Sequence, residues 1–318
     1  MQIYITGVGG MVGSHMVDYL YAEGGHTIIG SYFKPTTDLN DIRSKCTLIE
    51  CDVRYYQRVQ EIISTHKPDK IFHLAAQSYP TVSWERPQET MDTNVNGTVN
   101  VFEAVKSVQK IDSKYNPVVV VACSSAEYGA SLTPENTPIT EDVALLPLHP
   151  YGVSKVAQDL LSYQYFRNDN IRSIRARIFN TTGPRKTNDV TSDFTMRAVN
   201  MERGKEKFLR VGNLETKRAI TDVRDLVSAL ILLSEKGIWG EVYNISGEKA
   251  YMIQDIIPII EKYMGITLPY EIDSTLLRPT DEPIIYGDSS RLKKDTGWKQ
   301  SYALETTIKD MIDYLRSR

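Results

Sequence analysis

Tyr151 and Lys155 occupy the stretch Pro150-Tyr151-Gly152-Val153-Ser154-Lys155. Four residues apart on a helix, the two side chains share a face and can act together. A free phenol titrates near about 10 and is a poor proton shuttle at neutrality, but an adjacent ammonium favours its phenolate. Such a couple suits moving a proton on and off a carbinol oxygen while a hydride leaves or reaches the carbon. The same spacing also occurs on solvated helices with no chemistry attached, so the surroundings decide. The apolar run Val118-Val119-Val120-Val121-Ala122 ends in Cys123-Ser124-Ser125-Ala126-Glu127-Tyr128-Gly129. Ser124 would bond the substrate oxygen and complete a Ser-Tyr-Lys set. Ser-Ser after a strand is otherwise a cap or turn element.

These groups need a cofactor and a scaffold that presents it. The chain opens with Gln2-Ile3-Tyr4-Ile5-Thr6, then Gly7-Val8-Gly9-Gly10-Met11-Val12-Gly13, then apolar residues every three to four positions. This is strand, glycine turn and helix, the context that turns a loose glycine pattern into a dinucleotide fingerprint. Gly7 would allow the tight turn, Gly10 the approach of backbone N–H groups to a pyrophosphate, and Gly13 the close packing of helix on strand. Met11 and Val12 follow as cofactor contacts. The second strand runs into Ser31-Tyr32-Phe33-Lys34 with no acid placed for a ribose 2′-hydroxyl. Ser31 and Lys34 suit a 2′-phosphate, so NADP(H) is favoured over NAD(H). Asp52 is expected to bond the adenine amine with Val53 beside the ring. Leu74, Ala75 and Ala76 end a further strand and let backbone approach the cofactor. His73 reads as a packed residue.

Composition narrows the field further. The 318 residues are 41% hydrophobic and 24% charged, with formal net charge −3. That is an ordinary soluble globular make-up with no electrostatic case for nucleic acid or membrane partners. Cys46, Cys51 and Cys123 lack metal-ligand spacing, so reduced thiols and no metal are expected. With no leader pattern and no apolar run of spanning length, the cytoplasm is the expected compartment. Strand and helix patterns alternate through the first half. The expected fold is α/β, a doubly wound parallel sheet of Rossmann type with a smaller mixed α/β substrate-binding lobe. Residues 1–179 with 219–250 are assigned to the dinucleotide-binding domain, and 180–218 with 251–318 to the lobe.

Taken in order, Thr6-Gly7-x-x-Gly10-x-x-Gly13, His73-Leu74-Ala75-Ala76, Thr93-Asn94-Val95-x-Gly97-Thr98, Ser124 and Tyr151-x-x-x-Lys155 resemble the extended short-chain dehydrogenase/reductase family. The resemblance implies that Ser124, Tyr151 and Lys155 are catalytic, that Asn94 supports the proton relay, and that the protein forms a homodimer. Three later segments, 176–185, 211–218 and 277–282, are similar to the branch of GDP-mannose 4,6-dehydratases and GDP-4-keto-6-deoxymannose reductases. They imply a GDP-sugar substrate held by Asn180, Arg218, Arg278 and Glu282, with Ser125 and Glu127 beside the sugar. Arginine forks are well matched to a diphosphate. The branch divides over one residue. A dehydratase carries Ser or Thr, a variable residue and then Glu, to assist loss of the C6 hydroxyl. Here the series is Ser124, Ser125, Ala126. The expected activity is therefore NADPH-dependent reduction at C4 of a GDP-4-keto-6-deoxy-hexose. A GDP-mannose 4,6-dehydratase, a nucleotide-sugar epimerase and a non-catalytic dinucleotide-binding protein are the alternatives.

Overall fold

The computed structural model describes residues 1–277 and 282–318. Its centre is a sheet of seven strands: β1 (Gln2–Thr6), β2 (Thr27–Tyr32), β3 (Thr47–Glu50), β4 (Lys70–His73), β5 (Val118–Ser124), β6 (Arg172–Ile178) and β7 (Val242–Ile245). The spatial order is 7-6-5-4-1-2-3 and all six pairings are parallel. Between β1 and β4 the direction of strand addition reverses, opening the crevice in which doubly wound folds bind ligands.

Strand alternation builds two cores, one on each face. Ile3, Ile5, Phe72, Val120 and Ile174 pack against Met16, Leu20, Leu226 and Leu230 on one side. Tyr4, Ile29, Ile71, Val119 and Val121 pack against Val59, Ile62, Phe102 and Val105 on the other. Each fully buried aliphatic side chain contributes about 1.5–3 kcal/mol, so the run 118–121 anchors the sheet centre. It fixes where Ser124, at the end of β5, emerges.

A separate apolar cluster joins the helices Val190–Glu202, Ile256–Met264 and Leu304–Arg316 through Phe194, Val199, Ile256, Ile260, Ile308 and Ile312. Short strands surround it: Leu209–Val211 pairs with Tyr270–Ile272, and Lys217–Ala219 is flanked by Ala250–Met252 and Ile284–Ile285. One stretch departs from the assignment of 251–318 to the lobe. Leu292 and Trp298 are buried in the core of the main sheet, and the Trp298 indole donates to the Asp225 carbonyl at 3.0 Å. Among the described residues no helix is long and apolar enough to cross a membrane.

Candidate active site

The glycine turn has the geometry its sequence predicts. Gly7 sits at φ 74°, and a Cβ there would lie 2.8 Å from the Ala75 nitrogen. A Cβ on Gly13 would lie 2.6 Å from the Gly7 carbonyl oxygen, so helix and turn are in contact through absent side chains. Gly10 precedes the helix Met11–Glu23 without any side-chain cap. Its first N–H groups therefore lie open to an anion at the positive end of the helix dipole. The Thr6 hydroxyl accepts from the Leu74 and Ala75 nitrogens at 3.1 and 3.0 Å and holds the two strand ends together. These features fit a dinucleotide pyrophosphate.

The adenosine end differs from expectation in two places. The Ser31 hydroxyl is 1% exposed and bonds the Tyr4 hydroxyl at 2.8 Å. It faces inward, because alternation along β2 turns that position into the core, and is not available to a phosphate. Asp52 is gripped by Arg54, whose Nε and Nη2 approach its carboxylate at 2.9 and 2.6 Å, so the adenine amine would share an acceptor already engaged. Its carboxyl lies below the usual carboxylate range, with the Arg54 bonds outweighing the effect of burial. Val53 is buried beneath this turn. Lys34 is exposed, with its amine 5.2 Å from the Phe33 ring centre, and the Arg54 guanidinium lies 5.8 Å from the same ring. Two cations thus flank an exposed aromatic, and Arg54 is a participant that the sequence reading missed.

Ser124, Tyr151 and Lys155 meet in a cleft of about 590 Å³. Their residue exposures are 8%, 9% and 3%. The Tyr151 phenol is hydrogen-bonded to Ser124, and burial pushes its pKa up to about 12. Burial also pushes Lys155 down to about 8. The ammonium donates to the Ala122 carbonyl at 2.7 Å and stands 5.7 Å from the Tyr151 ring centre. The pair is brought together as expected, and desolvation, the largest influence on each group, opposes both ionised forms. Asn94 stands in a wide turn, Asp92–Asn96, that breaks the regular helix. There its amide donates to Ser154 at 2.8 Å and exchanges two bonds with the Gln77 backbone. It braces the Tyr151 helix against the end of β4.

Glu127 is a correction. It is fully buried and absent from the cleft wall. A one-turn 3-10 helix, Ser125–Glu127, follows β5. In it the Glu127 carboxylate folds back to accept the Ser124 N–H at 2.8 Å. Its other oxygen lies 3.2 Å from Arg177 Nε, which already donates to Asp159 at 2.9 Å. Asp159 also receives Arg175 at 2.7 Å. With one guanidinium between two buried acids, Glu127 is held well above the usual carboxylate range by desolvation and by the Asp159 charge. It supports Ser124 from behind and does not face substrate. His73 is likewise structural, bonded to Thr6 and Thr98 at 2.9 and 3.0 Å and held neutral by burial.

On the lobe side, Ser125, Asn180, Arg218 and Glu282 line the cleft. Arg218 donates to the Lys217 and Glu282 carbonyls at 2.9 Å each, which anchors its guanidinium at the wall. The Asn180 side-chain oxygen is buried with no partner among the described residues, the state expected of an acceptor awaiting a ligand. Arg278 lies outside the described residues. Sequence reasoning did not single out Lys186, Asn188, Arg197 and Arg210, which also line this wall. Lys186 and Asn188 sit on a loop, Arg197 on the helix Val190–Glu202 and Arg210 on the short strand Leu209–Val211, so no single sequence period connects them. Arg185 pairs with Asp18 at 2.7 Å and Asp41 at 3.6 Å within its own chain. Cys123, Glu127 and Asp159 cluster tightly enough for a metal, but the two arginines already neutralise that group.

The family model described as GDP-mannose 4,6 dehydratase matches residues 4–311. GDP-6-deoxy-D-mannose reductase of Pseudomonas aeruginosa is 27% identical, over 100% of this chain and 98% of its own length. GDP-mannose 4,6 dehydratase 2 of Arabidopsis thaliana is 29% identical, over 97% of this chain and 85% of its own. Among solved structures, RMD from Pseudomonas aeruginosa complexed with NADPH superposes with a TM-score of 0.85 at 25% identity, covering 99% of each chain.

Proposed function

Because this chain belongs to the GDP-mannose 4,6 dehydratase family of extended short-chain dehydrogenases/reductases, enzymes that modify nucleotide sugars with a nicotinamide dinucleotide, we propose that it reduces C4 of a GDP-4-keto-6-deoxy-hexose with NADPH. One observation carries the choice of reaction. The wall beside Ser124 presents Ser125 and Ala126, while Glu127 is turned into the protein. Dehydration needs an acid there to assist departure of the C6 hydroxyl. Ketone reduction needs only hydride delivery and one proton.

The cofactor, when bound, supplies the hydride. Gly7, Gly10, Met11 and Val12 would hold its pyrophosphate end, and Leu74, Ala75 and Ala76 its nicotinamide side. Lys34 and Arg54, with no acid at the end of β2, favour the 2′-phosphorylated form. Ser124 holds the C4 oxygen, Tyr151 gives that oxygen its proton, and Lys155 holds the positive charge that the phenolate then needs. Asn180 and Arg218, with Arg210 further out, suit the ribose and diphosphate of the substrate. The Arabidopsis thaliana relative keeps the dehydratase as the second reading.

The test supplies GDP-mannose alone, and then the 4-keto-6-deoxy sugar nucleotide with NADPH, while absorbance of the reduced cofactor is followed. Oxidation of NADPH in the second mixture only is the expected result. Conversion of GDP-mannose without net change in the cofactor would falsify the reductase reading.

A further inference from the structure

Lys155 is a cation taken out of water, 3% exposed, with the neutral Ala122 carbonyl as its hydrogen-bond acceptor at 2.7 Å. A buried ammonium keeps its proton only where an opposite charge offsets the lost hydration. Glu127 stands where that charge is needed. Its carboxylate accepts the Ser124 N–H at 2.8 Å. Amine and carboxylate thus hang from backbone atoms of β5 two residues apart, at most about 7 Å in an extended strand. The helix Pro150–Asp169 gives a second fix. Lys155 and Asp159 are one turn apart on the same face of it, and oxygens of the Asp159 and Glu127 carboxylates lie within 4.8 Å of each other.

The other charged groups around this pair are already engaged. Arg175 and Arg177 hold Asp159 at 2.7 and 2.9 Å, and both keep their charge at any working pH. The Cys123 thiol on β5 and His73 on β4 face the ammonium, and burial holds the thiol protonated and the ring neutral. Tyr151 is a neutral phenol until it reacts. Lys155, Arg175 and Arg177 therefore set three buried cations against Asp159, and Glu127 is the remaining acid. Its Oε2 is buried without a hydrogen-bond partner among the described residues. After burial and Cys123, it is Glu127 that acts on the Lys155 amine, in the direction that retains the proton.

We propose that Glu127 is a positioning residue that acts through Lys155: ionised, it is the buried counter-charge that keeps the ammonium in place while Tyr151 gives up its proton. It rests on the role given to Lys155 above. Burial and the Asp159 charge raise Glu127, so it gives up its proton in the range where Lys155 would otherwise lose its own, and the two titrate as a pair. Once the carboxylate has formed, the ammonium beside it is harder to discharge. A merely structural role behind Ser124 predicts something else. Glu127→Gln, whose amide oxygen can still accept the Ser124 N–H, would then leave the ionisation of Lys155 unchanged.

The experiment labels the lysines of the full chain with carbon-13 at Cε and follows them by NMR as pH rises from about 6 to about 10, in wild type, Glu127→Gln and Glu127→Met. Lys155 is the signal missing from Lys155→Arg. Either neutral variant should titrate Lys155 about one pH unit below the wild-type midpoint, as Coulomb's law gives for unit charges about 7 Å apart in a partly screened interior. If Glu127→Gln does not fold, Glu127→Met decides. An unchanged or raised midpoint overturns the proposal. The descending limb of kcat/KM for the keto sugar should fall with the midpoint. In a Lys155→Arg background Glu127→Gln should move no limb, and a limb shift there overturns action through the lysine. A lowered midpoint in a protein with no turnover supports the counter-charge and removes the reductase reading instead.

Discussion

The sheet side of the cleft and the exposed part of its lobe side, around Asn188 and Arg210, are built on different terms. Ser124, Tyr151 and Lys155 are each less than a tenth exposed; behind them Glu127, Arg177 and Asp159 form a connected set of bonds, and Asn94 braces the Tyr151 helix through Ser154. Across the cleft, Asn188 and Arg210 are exposed, and the Arg210 side chain, 59% accessible, has Asp273 at 3.8 Å as its ion-pair partner. Geometry held before ligand arrives suits the proton and hydride steps, which tolerate little misplacement. Exposed polar side chains suit recognition of a flexible nucleotide sugar. Turnover and affinity should therefore respond separately to substitutions on the two sides.

The largest separation is expected from Tyr151→Phe. Loss of the acid should lower kcat about a thousandfold while the dissociation constant for NADPH, read by fluorescence titration, stays within about twofold. A variant that keeps its turnover would remove the phenol from the reaction. Next in size is the pH response of the lysine. Its amine is pushed down to about 8, so the ammonium is lost as pH rises through that value and kcat/KM should fall. Lys155→Arg, which keeps its charge throughout, should be slower but should not show this descending limb. A wild-type profile that is flat through the same range would contradict the role.

On the lobe side, Arg210→Ala should raise KM for the sugar nucleotide about tenfold and leave kcat nearly unchanged. A fall in kcat with constant KM would break the division between the two walls. The smallest effect sought is on stability, at Glu127→Gln. The Glu127 carboxyl is raised in the folded state above the unfolded value of 4.5, so the fold binds that proton more tightly than the unfolded chain does. This contribution is fully present below the unfolded value and is lost as pH rises toward the folded one. Wild type should lose melting temperature from about pH 5 toward neutrality, and Glu127→Gln should lose less. Parallel curves would show that the carboxyl titrates alike in both states.

Much of the sheet side was legible in the sequence because its signals are local. A β-branched run reads as a buried strand, glycines at fixed offsets read as a turn, and a four-residue spacing reads as one helix face. The misreadings arose where a side chain's direction depends on distant packing. Ser31 reads as a cofactor contact, but the pleat of β2 turns it toward Tyr4. Glu127 reads as a substrate contact, but a single tight turn after β5 sends it to Arg177, which is fifty residues later in sequence. Arg54 carries no signal of its own in the sequence, since Asp52, to which it bonds, itself reads as a ligand contact. Trp298 belongs to the sheet core although the sequence around it reads as lobe, since only tertiary contact with the helix Val223–Lys236 decides its side. The substrate wall, built from loops and short strands, offered isolated polar residues with no period to connect them.

The central claim is that the buried Tyr151–Lys155 pair serves delivery of a hydride from NADPH to C4 of a keto sugar. Incubation of the protein with the GDP-4-keto-6-deoxy sugar and NADPH deuterated at the transferable position, followed by mass and NMR analysis of the product, tests it directly. One deuterium at hexose C4 is the predicted result. A product without deuterium, or with hydrogen moved internally from C4 to C6 of GDP-mannose, would contradict it.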